Sequence, residues 1–74
     1  MKLLRSKLAD GVILSTIYAE FCAWYGPYET AITFDNQKSW RILEGYGTLE
    51  EAKSGHLKYS RMSIEELRNF DFIG

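Results

Sequence analysis

The stretch "DGVILSTIYAEFCAWYGP" (residues 10–27) admits two readings, and the choice between them decides the fold. Ile13, Leu14, Ile17, Tyr18, Phe21, Trp24 and Tyr25 fall on one helical stripe, with Gly26-Pro27 standing where a helix would stop. The same stretch opens on Asp10-Gly11, set between the apolar-bearing runs "LLRSKLA" (3–9) and "VILSTIY" (12–18). An Asp-Gly pair in that setting is the strongest short-range hairpin signal, because both turn residues tolerate positive φ. The β-branched and aromatic cluster Val12, Ile13, Thr16, Ile17 and Tyr18 favours a strand, since such side chains suit a pleated surface. We adopt the strand, with one continuous helix over residues 12–24 as the alternative.

Downstream, "YETAITF" (28–34) alternates, with Tyr28, Thr30, Ile32 and Phe34 on one face and Glu29, Ala31, Thr33 and Asp35 on the other. That pattern predicts a half-buried strand. "DNQK" (35–38) makes a turn, because Asn36 tolerates left-handed backbone, and "SWRILEGY" (39–46) returns with Trp40 and Ile42 expected on the inner face. At Thr48 the period switches: Thr48 with Glu51 reads as a capping box, and Leu49, Ala52, His56 and Tyr59 share one side of the helix that follows. A second box, Ser63 with Glu66, opens a short final helix in which Ile64, Leu67 and Phe70 recur at helical spacing. Because hairpin neighbours pair in sequence order, the expected fold is α+β: an antiparallel three- to four-stranded meander packed against one C-terminal helix, plus the short final helix, all in one domain over residues 1–74.

Composition narrows the function classes. With 46% hydrophobic and 26% charged residues in 74, the chain is a small globular domain and not a disordered tail. A domain of this size buries only about 60% of its unfolded surface, so a disulfide or a second copy would help it. The single Cys22 makes no internal disulfide, which leaves self-association open. No apolar run approaches the roughly 20 residues of a membrane span, and no stretch reads as a signal peptide. A reducing cytoplasm is therefore the expected location. Nine basic and ten acidic residues are interspersed for a net charge of −1, so neither a phosphate-binding face nor a nucleic-acid mimic is expected.

His56, the one histidine, lies at the centre of the helix's inner face. A histidine there is expected to be a neutral core residue bonded to a backbone carbonyl or a tyrosine hydroxyl. A metal site wants three or four ligands, and the sequence has no second histidine and no cysteine pair, so no metal or other cofactor is expected. Cys22 with His56 would be the one nucleophile-base pairing available, but a lone cysteine usually behaves as a small hydrophobe, and no enzymatic activity is expected. Gly55, costing about 1 kcal/mol against alanine in mid-helix, is explained if its missing side chain lets helix and sheet approach closely.

Tyr28, Glu29, Thr30, Trp40, Tyr46, Thr48, Glu50, Glu51, Ala52, Gly55 and His56 carry a resemblance to a group of small bacteriophage- and prophage-encoded proteins. Those proteins are similar in an aromatic-Glu-Thr strand, a Trp ahead of a Tyr-x-Thr helix start, and a helix motif ending in Gly-His. The resemblance spans residues 15–59 and favours the strand reading upstream of Gly26-Pro27. This chain differs in a loop shortened to "WYGP" and in its segments before and after. The resemblance implies an interaction protein that binds a host bacterial protein and blocks or redirects it, a bacterial defence complex being the sharpest case (an anti-CRISPR-like inhibitor). The alternative is a self-associating homodimer, and a small-ligand or enzymatic role around His56 and Cys22 ranks last. Trp24, Tyr25 and Tyr28 near the loop, with Phe70 and Phe72 in the tail "NFDFIG" (69–74), are the expected partner-binding residues, because aromatic side chains concentrate binding energy at interfaces. The tail itself could either pack back on the sheet or dock on a partner.

Overall fold

The computed structural model describes residues 2–19 and 26–74, and within them the strand reading holds. Four strands, β1 (Lys2–Ala9), β2 (Val12–Tyr18), β3 (Tyr28–Thr33) and β4 (Arg41–Tyr46), precede two helices, α1 (Leu49–Ser60) and α2 (Ile64–Arg68). The strands form one antiparallel sheet in the order β1-β2-β3-β4, so every strand lies beside its neighbours in the chain. The ambiguous stretch is extended as far as Tyr18; residues 20–25, with Phe21, Cys22, Trp24 and Tyr25, lie outside the described residues.

The first turn differs from the expectation in detail. Gly11 takes φ 75° but Asp10 is not among the residues with positive φ, so this is not the mirror-image turn that needs two. The pairing shifts by one residue between Lys7 and Ala9 to accommodate it. In the second turn Asn36 and Gln37 both take positive φ, at 58° and 72°. The Asp35 carboxylate accepts from the Thr33 hydroxyl, the Ser39 N–H and the Ser39 hydroxyl at 2.9, 2.9 and 2.6 Å. These bonds, those from Ser39 above all, hold the Asp35 carboxyl down to about 2. The Asn36 N–H donates to the Gly11 carbonyl at 3.0 Å, joining the two turns.

One sheet face lies under α1, which packs across all four strands. Leu14 pairs with Ile32 and Thr16 with Thr30 on that face. Val12, Leu14, Ile32, Leu43, Tyr59 and Leu67 form the core cluster. Two expectations are corrected here. Strand β3 is not half-buried: Glu29 (8% exposed) and Thr33 (0%), on the face away from α1, are as enclosed as Thr30 and Ile32. A central strand has neighbours on both edges; Glu29 lies on the floor of the cleft described below, and Thr33 is enclosed by the following turn, its hydroxyl bonded to Asp35 and the Gln37 N–H. Trp40 and Ile42, in turn, do not face the helix. Undisturbed pairing would set Ile42 opposite Ile32, but the register slips between Thr30 and Ala31, so Ile42 pairs with Ala31 and the extra residue, Leu43, enters the core at 3% exposure.

Helix α1 starts at Thr48, whose hydroxyl accepts from the Glu51 N–H at 3.2 Å; Glu51 answers on the Thr48 hydroxyl and not on its N–H, so the box is only half closed. Ala52, Gly55, His56 and Tyr59 are its buried residues, whereas Leu49, expected on the inner side, is 39% exposed. The capping box is complete at Ser63 and Glu66. Helix α2 ends at Arg68, so Phe70 continues the apolar face from outside the helix. The tail returns to the sheet: the Ile73 N–H donates to the Ile42 carbonyl and the Ile42 N–H to the Gly74 carbonyl, both at 2.9 Å.

Candidate functional site

Two features of the folded chain invite a chemical role, one on each face of the sheet. Under α1, five side chains form a continuous row, buried except at its half-buried Ser6 end. Tyr46 Oη donates to Thr30 Oγ1 at 3.0 Å, Thr30 Oγ1 lies 2.6 Å from Thr16 Oγ1, Thr16 Oγ1 2.7 Å from His56 Nδ1, and His56 Nε2 2.9 Å from Ser6 Oγ. One proton order satisfies every member: Tyr46 donates to Thr30, Thr30 to Thr16, Thr16 to His56 Nδ1, and the His56 Nε2–H to Ser6. With Tyr46 donating, reversing the remaining bonds would make Thr30 Oγ1 accept twice, and its own proton would have no acceptor among the described contacts. The row therefore assigns His56 as the neutral Nε2–H tautomer. Burial pushes its pKa below the ordinary histidine value and raises the Tyr46 hydroxyl to about 12. The inward histidine is as expected, but its partners are strand hydroxyls and not a carbonyl or a tyrosine. Gly55 belongs to the same site: a Cβ there would overlap the Tyr46 ring and hydroxyl, so the bare helix surface is what admits Tyr46 to the row.

The opposite face carries a cleft of about 440 Å³. Strand pairing builds it in two rows, Lys2–Ile17–Glu29 and Arg5–Ser15–Ala31–Ile42. Gln37, Trp40 and Gly74 complete the lining. Arg5 donates to Gln37 Oε1 at 3.0 Å, and its guanidinium stands 5.7 Å from the Trp40 ring centre. Ser15, Glu29 and Ala31 are buried on the floor. Glu29 Oε2 is the one buried side-chain oxygen or nitrogen among the described residues with no hydrogen-bond partner, and desolvation raises the pKa of its carboxyl. A second depression, beside α1 at Glu44, Tyr46 and Ser54, lacks this feature: Glu44 accepts from Lys58 Nζ at 3.1 Å and Tyr59 Oη at 2.8 Å.

Of the residues expected to bind a partner, the described ones, Tyr28 on one side and Phe70 and Phe72 on the other, are not brought together. Trp24 and Tyr25 lie outside the described residues. Tyr28 opens β3, its ring 5.1 Å from that of Tyr18. Phe70 and Phe72 pack at the other end of the sheet, on Tyr59 (5.4 Å) and Phe34 (6.4 Å), with the Arg41 guanidinium 4.6 Å from the Phe72 ring. Both belong to the partly buried margin of the core, so packing already accounts for their apolar character. Cys22 falls outside the described residues, and both His56 nitrogens are occupied. Among the described residues there is no group of three or more His, Cys, Asp or Glu placed to hold a metal ion, and no helix is long and apolar enough to cross a membrane. Sequence reading gave the cleft residues Arg5, Ile17 and Glu29 no binding role; the visible signal was a glutamate inside an otherwise neutral strand. Comparison with protein-family models, curated proteins and solved structures returned no match.

Proposed function

We propose that this chain is a non-enzymatic interaction protein that uses the open sheet face to bind another protein. The observation that carries the reading is the cleft floored by Ile17, Glu29 and Ala31, where a buried carboxylate oxygen lacks a partner while the chain's histidine is fully engaged inside the core. Buried polar groups are nearly always bonded in folded proteins, and exceptions concentrate where something else completes them. The phage-type resemblance makes a host bacterial protein, in the sharpest case a defence complex, the partner that is blocked or redirected. Within a bacterial host such a protein acts in the cytoplasm. The test is capture from bacterial lysate with the parent chain, Trp40→Ala and Ile17→Asp as bait, after circular dichroism shows all three folded. A species held by the parent and released by both variants supports the reading, and capture that ignores both variants refutes it.

Self-association is the second reading. The free edge strand β1 opposes it, because exposed Lys2, Arg5 and Lys7 and two register shifts interrupt the regular ladder that a second copy would need. A light-scattering mass at two concentrations decides: a monomer at both removes the homodimer.

A further inference from the structure

Resting on that reading of the chain as a binding protein, we propose that the cleft receives a lysine or arginine side chain of the partner protein, its cationic head on Glu29 and its aliphatic stem on Ile17, Ala31 and Ile42. Glu29 is 8% exposed, and its Oε2 is wholly buried without a partner. An ionised carboxylate oxygen only accepts, so whatever completes it must donate. A neutral donor would supply the bond but leave the desolvated charge uncompensated; a cation supplies both, in the stronger charge-assisted form. The floor beside Glu29 is aliphatic, which suits the three or four methylenes of a basic side chain.

Among the described residues, the chain's own cations leave this place open. Arg5 is committed to Gln37 and the Trp40 ring. Lys2 stands in the same row as Glu29 but one strand further away, across Ile17, and the described ion pairs are Lys7 with Asp10 and Lys58 with Glu44. Lys2 is therefore the internal competitor at the rim. It also gives the incoming segment a reason to carry an acceptor next to its basic residue.

The probes are n-butylammonium and n-butylguanidinium, with n-butanol as the neutral isostere. Binding is followed at pH 7 by the methyl resonances of Ile17, Ala31 and Ile42 and by the Glu29 carboxyl carbon. Both cations should shift these signals saturably and lower the Glu29 pKa. Glu29→Gln should weaken them at least about tenfold, the equivalent of one charge-assisted bond. Lys2→Met should tighten them. Butanol binding as well as the cations, or no effect of Glu29→Gln, overturns the proposal. So does a Glu29 signal that responds to Lys2→Met and not to the cations, which would make Lys2 the occupant. Cation binding through Glu29 together with lysate capture indifferent to the cleft variants removes the protein source and the interaction reading. Capture lost in those variants without cation binding leaves the interaction reading standing and removes this one.

Discussion

Breaking the buried row at its centre should cost far more than breaking it at its end. Thr16→Val is nearly isosteric and replaces a side chain that is 0% exposed. It removes two short contacts, 2.6 Å to Thr30 and 2.7 Å to His56. The Thr30 proton then has no acceptor and His56 Nδ1 no donor, both in a buried setting. Orphaning a buried polar group costs about 1–3 kcal/mol, and the added methyl returns about 0.8 kcal/mol through burial. With two groups orphaned, the net loss should be about 1–5 kcal/mol, against a total stability of roughly 4–11 kcal/mol for a chain of this length. Ser6→Ala also deletes a hydroxyl contact to the ring, at 2.9 Å, but Ser6 is only half-buried, so water can take over and the loss should stay below about 1 kcal/mol. Urea midpoints at pH 8, followed by tyrosine and tryptophan fluorescence, measure both. Ring nitrogen shifts of His56 by NMR should show Nε2 protonated and Nδ1 bare. Equal costs for the two variants, or an Nδ1–H tautomer, would refute the proton order derived for the row.

Gly55→Ala should destabilise by about 2 kcal/mol or more, since the new Cβ displaces Tyr46 and with it the bond to Thr30; a thermal melt within a degree of the parent would contradict the close approach. Acid should weaken the fold through His56: its folded pKa lies below the unfolded value near 6.5, so the unfolded chain binds the proton more readily and stability falls as pH drops below about 6.5. Urea midpoints at pH 8, 6 and 5 should show that slope in the parent and a flatter one in His56→Gln. Glu29, with its pKa raised, works in the opposite sense, so Glu29→Gln should raise the melting temperature at pH 7. The complete capping box at Ser63 and the fully buried Leu67 behind it should make Ser63→Ala cost about 1 kcal/mol, at least as much as Thr48→Ala by the same melts.

Much of the architecture was decided locally and was legible as such. Asp10-Gly11, Asn36, Thr48 and Ser63 each impose a backbone event through their own side chains or lack of one, and the structure places a turn or a helix start at every one of them. The inward direction of His56 followed from its position on the helix, because the 100° step per residue sets the side that meets the sheet. What no local rule contained was the relation between strands. A single slip between Thr30 and Ala31 exchanged Ile42 for Leu43 in the core, since side chains alternate with a period of two and one extra residue inverts the faces beyond it. The same pairing aligned Ser6, Thr16 and Thr30 with His56, and set Glu29 in a row with Ile17 and Lys2 on the other face. Each member is an ordinary strand residue by itself. Their chemistry arises from neighbours 12 or more positions away in the chain, which only the folded sheet brings within hydrogen-bond reach.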